Sequence, residues 1–142
     1  MASRAKQITH FILLVGLGAV FALAGVLKVL DPATFTIDID HYQILPWSLS
    51  VLLALYLPWL ELIAAAALFR KEWRTAALLL MFALSILFLA GMISAASRGL
   101  NIACGCFGTG NGHLGVAILR DLGIMAAIGF CLLSCPHRLW RW

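Results

Sequence analysis

Cys104 and Cys106 flank a single glycine inside CGCFGTGNGHLG, a glycine-rich stretch that separates two long apolar runs. Two thiols this close can cycle between dithiol and disulfide, or hold a soft metal ion as thiolates. A bridge between residues two apart closes a small ring, and Gly105 supplies the backbone freedom that ring needs. So short a closure removes little loop entropy and makes a poor staple. Strained, exposed disulfides are the labile and catalytic ones. Gly108, Gly110, Gly112 and Gly115 would let a partner's backbone come close. A soft-metal site is the second reading, with His113 or His41 as a further ligand, but two cysteines fall short of a four-ligand pattern. A flexible turn carrying two inert thiols is the third.

Which of these chemistries is open depends on where the loop lies, and so on the elements around it. The chain has 142 residues, of which 63% are apolar and 11% charged. A soluble domain of this length does not need that much apolar surface, whereas an integral membrane protein does. Four runs reach the ~20 residues needed to cross a bilayer. They lie near 11–30, 49–69, 75–97 and 116–135. Helices are required, because the backbone must satisfy itself in lipid and the runs lack the alternation of a barrel. The expected fold is all-α, an integral membrane four-helix bundle forming a single transmembrane domain over residues 1–142. The run Ala22-Leu23-Ala24 before Gly25 also fits a cleavable leader, although the apolar stretch continues to Leu30 and is long enough to span.

Lysine and arginine set the orientation. Arg4 and Lys6 precede the first span, Arg70, Lys71 and Arg74 fill the second connection, and Arg138 and Arg141 close the chain. The first and third connections carry little beyond Arg98, with Lys28 and Arg120 at their flanks. The positive-inside rule then puts both termini in the cytoplasm and the 31–48 and 98–115 connections outside. A bacterial inner membrane is the expected location, with the cysteine loop facing the periplasm. Trp73, Trp140 and Trp142 suit an inner aromatic belt, Tyr42 and Trp47 an outer one. The net charge of +4 acts as an orientation signal. No basic patch interleaved with aromatics points to nucleic acid.

In the first outer connection, DPATFTIDIDHYQILP, Phe35, Ile39 and Tyr42 recur at helical spacing. Asp31 can cap and Pro32 suits the first helical position. A short amphipathic helix on the membrane surface, ended before Pro46, is expected; an irregular polar loop is the alternative. The outer side is oxidising, so disulfides persist there. Cys131 and Cys135 fall near the cytoplasmic end of the last span. A span separates its ends by roughly 30 Å, whereas bridged Cα atoms lie within about 7 Å. Of the three pairings that four cysteines allow, only Cys104–Cys106 fits; Cys131 and Cys135 are expected to pack as small apolar side chains.

Glu61 lies mid-span in LPWLELIAA, where a lone carboxylate costs at least ~2.5 kcal/mol. It must face the interior and meet a partner, or take up a proton. Lys28, Arg120 and Asp121 are the candidates, and Pro58 removes a helix hydrogen bond nearby. Such a cluster could be a proton or quinone head-group site, or an ion pair that locks helices together.

The stretches AGVLKVLDPATF, YQILPWSL, LPWLEL, CGCFG and ILRDLG, in that order, resemble the methylamine utilisation protein MauE family, related to DoxX-like four-helix membrane proteins. The likeness runs from about Ala24 to Gly123. It implies periplasmic disulfide formation or thiol transfer during maturation of a partner enzyme, together with a thioredoxin-like protein. By this resemblance Cys104 and Cys106 are the redox pair and Lys28, Glu61, Arg120 and Asp121 the associated polar residues. A quinone is a candidate electron acceptor, and no other cofactor is indicated. The competing function is a non-enzymatic assembly factor or soft-metal carrier using the same thiolates.

Overall fold

The computed structural model describes residues 2–99 and 114–134. Five helices follow one another: α1 (Ala2–Leu30), α2 (Pro32–His41), α3 (Trp47–Leu68), α4 (Arg74–Ser97) and α5 (Leu114–Ser134). Four of them contain segments long and apolar enough to cross a membrane, namely Ile8–Leu30, Trp47–Leu68, Arg74–Ser97 and Gly115–Leu133. These agree with the expected spans to within a few residues. α1 begins well before Phe11, because a helix need not stop where the hydrocarbon does.

The all-α expectation holds, with helix throughout and no strand among the described residues. The first connection is the expected short helix. Asp31 caps α2 by accepting from the Thr34 amide at 3.0 Å and the Thr34 hydroxyl at 2.7 Å. Pro32 takes the first turn, where its missing N–H is no loss. α2 turns Phe35, Thr36 and Ile39 inward.

α1 packs most extensively on α3, and smaller contacts join α3 to α4, α4 to α5 and α5 back to α1. The four spans thus form a ring, and α2 rests mainly on α3. Small residues let α1 and α3 approach. A Cβ built on Gly25 would stand 2.9 Å from Leu62 Cγ and 3.1 Å from the Pro58 carbonyl oxygen. Pro58 itself lies buried within α3 without ending it. The core joins Leu14, Leu17 and Phe21 of α1 to Leu57 and Leu68 of α3, Leu78 and Met81 of α4, and Ile128 and Cys131 of α5. Large apolar side chains such as Phe11, Leu52, Ile63, Leu79 and Leu119 remain exposed, as a surface facing acyl chains requires.

Candidate functional site

The buried row of α1 runs Leu14, Leu17, Phe21, Ala24, Lys28. On α3 it runs Ser50, Ala54, Leu57, Glu61, Ala64, Leu68, and on α5 Ala117, Asp121, Ile128, Cys131 with Ile124 partly buried between. These steps of three and four residues are the spacing of a helix seam. Three charged residues therefore occupy positions that the pattern otherwise gives to apolar side chains. Helical periodicity alone turns them inward. Lys28 is 4% exposed, Glu61 2% and Asp121 7%.

Lys28 Nζ donates to Glu61 Oε1 at 2.5 Å. The same ammonium lies 4.9 Å from the centroid of the Phe35 ring and 4.4 Å from that of Phe88. A cation over two aromatic faces gains electrostatic stabilisation where no water solvates it. One lysine of α1 thus touches α2, α3 and α4. From α5, Asp121 lies close enough for the charge of Lys28, together with that of Arg120, to act on its carboxyl. Among the described residues the ammonium is ion-paired with Glu61.

Glu61 Oε2 and Asp121 Oδ2 are buried and have no hydrogen-bond partner among the described residues. A carboxylate oxygen can accept a hydrogen bond or a proton, so this arrangement has unused capacity for either.

Of the four residues expected in a polar cluster, the fold brings Lys28 and Glu61 into contact and Asp121 into their electrostatic range. Arg120 stays outside the buried row, exposed on α5 and acting on Asp121. Phe35 and Phe88 complete the lysine's surroundings and were not legible as such. Phe35 read as the apolar face of α2, and nothing in the spacing of Phe88 distinguishes it from lipid-facing neighbours.

The expected redox pair Cys104 and Cys106, with His113 and Cys135, lies outside the described residues. Cys131 is fully buried in the core, as expected for a small apolar side chain. His41 is exposed at the end of α2, and no cluster of metal-ligating side chains occurs among the described residues.

Outside the span segments, two carboxyl groups of the α2 region are shifted. The hydrogen bonds from Thr34 hold the Asp31 carboxyl below its usual range. Burial pushes that of Asp38 up, opposed by the nearby His41.

No curated protein and no solved structure matches the chain. The family model of methylamine utilisation protein MauE matches residues 6–134, which takes in all four apolar spans, the buried ion pair and the CGC stretch. The chain belongs to the methylamine utilisation protein MauE family.

Proposed function

We propose that this protein, acting as a single transmembrane unit, carries out thiol–disulfide exchange at the periplasmic face of a bacterial inner membrane and supports maturation of a partner protein. Both termini face the cytoplasm, and Cys104 and Cys106 form the exchanging pair. A thiolate of a thioredoxin-like protein attacks one sulfur of the Cys104–Cys106 disulfide and forms a mixed disulfide. The partner's second thiol resolves it, leaving the partner oxidised and Cys104 and Cys106 as a dithiol. The buried carboxyl groups of Glu61 and Asp121, each with an oxygen left without a partner among the described residues, exchange protons as the pair turns over.

The observation that carries this reading is the division of labour among the thiols. Cys131 is sealed in the core, where no partner reaches it. Cys104 and Cys106 belong instead to the connection between α4 and α5, flanked by glycines. Membership of a methylamine utilisation family agrees with a role in maturing a partner protein.

The test is covalent trapping. At least one of the Cys104→Ser and Cys106→Ser variants, expressed singly, should be recovered in a mixed disulfide with a periplasmic thioredoxin-like protein. The double variant should lose exchange yet remain folded. Full exchange by the double variant would overturn the reading. So would stoichiometric metal on the two thiolates of the native protein, which would favour a soft-metal carrier.

A further inference from the structure

A cavity of about 400 Å³ opens between α2, α3 and α4 on the α2 side of the bundle. It arises because α2 rests on α3 rather than on α4. The gap is spanned at its end by Arg98, which donates to the Gln43 carbonyl at 3.0 Å and to the Ser94 hydroxyl at 2.6 Å. The walls include the rings of Phe35, Tyr42 and Phe88, with Leu53, Leu57 and Gly91 between them. Phe35 and Phe88 are the rings that cover Lys28, so the cavity and the buried ion pair share a wall. Ile44 and Leu87 form part of its lining, and each is about half exposed. Leu87 lies in the middle of a span, so this rim meets lipid and a ligand can enter from the bilayer.

The polar groups narrow the choice of ligand. Asp38 and Ser94 line the cavity along with Tyr42. An acyl chain has nothing to offer a carboxyl and a hydroxyl. A flat ring bearing oxygens on opposite sides, with an apolar tail, matches both the aromatic walls and the polar groups. Pockets of this size and mixture commonly hold such ligands.

We propose that this cavity binds the head group of a membrane quinone, with its tail leaving past Leu87 and Ile44. The redox step rests on the thiol-exchange reading above. The Cys104 and Cys106 dithiol loses two electrons and two protons and becomes a disulfide. The quinone gains both and leaves as the quinol. Cys104 follows by six residues in the chain the Arg98 that closes one end of the cavity.

The experiment uses the full chain in phosphatidylcholine nanodiscs, with decylubiquinone as the probe. Saturable one-to-one binding is expected, both in the wild type and in the Cys104→Ser/Cys106→Ser double variant. Gly91→Leu and Leu53→Trp, which fill the cavity from α4 and α3, should each weaken binding at least tenfold. Gly91→Ala should not, because its Cβ meets only Tyr42 Cδ1 at 4.0 Å. Reduced wild type should then form its disulfide in step with quinol production, and Gly91→Leu should do so at least tenfold more slowly. Equal binding by the wild type and both filled variants would overturn the proposal. Retention of a co-purified phospholipid that decylubiquinone does not displace would also overturn it, making an acyl chain the occupant. Binding in the double variant without quinone-dependent oxidation of the wild type upholds the site and sinks the thiol reading. Exchange with a thioredoxin-like protein that persists when no decylubiquinone binds does the reverse.

Discussion

Removing Lys28 and leaving Glu61 strands a carboxylate among apolar side chains, and the converse change strands an ammonium between two rings. Either single replacement, Lys28→Met or Glu61→Leu, should lower stability by about 3–5 kcal/mol, the usual effect of breaking a buried pair. The Lys28→Met/Glu61→Leu double variant should recover most of that loss, because neither member of the pair is left buried without the other. Thermal unfolding in detergent of the four proteins of this cycle measures the coupling. If the double variant is stable but exchanges thiols no faster than a cysteine-free protein, the pair belongs to the mechanism. Equal exchange by double variant and wild type would leave it as a lock between α1 and α3. Glu61→Lys should be the worst change at this position, since it places a second cation beside Lys28. Asp31 offers a residue-scale test that is independent of the core. Its carboxylate is favoured by folding, so its contribution is present above the ordinary carboxyl range and fades as pH falls through its lowered pKa. Hydrogen exchange at the Thr34 amide, corrected for intrinsic rate, should lose protection at acid pH in the wild type. Asp31→Asn keeps a good capping side chain and should remove that dependence.

Between elements, the α1–α3 contact is the one that tolerates least. Gly25→Ala drives a methyl group against Leu62 and the Pro58 carbonyl, neither of which can withdraw freely. Overpacking of this kind costs about 1–3 kcal/mol. At Gly18 the corresponding Cβ meets the tip of the Phe69 ring at 2.9 Å, and Phe69 is exposed and can swing aside. Gly18→Ala should therefore unfold at a temperature nearer to wild type than Gly25→Ala does; the reverse order would place the tight seam elsewhere. Element-scale features were also the most legible in the sequence. Spans declare themselves by length and apolarity, and α2 by Asp31, Pro32 and the spacing of Phe35 and Ile39. The four charged residues were legible as a group because intramembrane charge is rare. Which of them pair was not, since that depends on α1 being the neighbour of α3, a fact no local pattern carries. The cavity was illegible for the same reason: Phe35, Leu57 and Phe88 come from three different helices and meet only in the fold.

For the molecule as a whole, the ring of spans leaves α5 the least covered: 22% of its apolar window is buried, against 39% for that of α1. A helix with so much lipid-facing surface is held by few side chains, and Asp121 is among those that point inward. Orientation is the matching test at this scale. After mild reduction, Cys104 and Cys106 should react with an impermeant maleimide added to spheroplasts, whereas tags at either terminus should be digested only in inverted vesicles. Labelling confined to inverted vesicles would reverse the arrangement and remove the oxidising compartment on which the disulfide chemistry depends.

The Lys28–Glu61 pair also has a biosynthetic consequence. The two residues are 33 apart in the chain. At the ~5–20 residues per second of translation, Lys28 leaves the ribosome roughly 2–7 s before its carboxylate. For that interval α1 carries a cation near one end without its buried partner, and a long lysine stem can keep it at the interface. Pairing needs only α1 and α3, so a chain released after Leu68 would carry both halves of the pair while Phe88 of α4 is still missing from the lysine's surroundings.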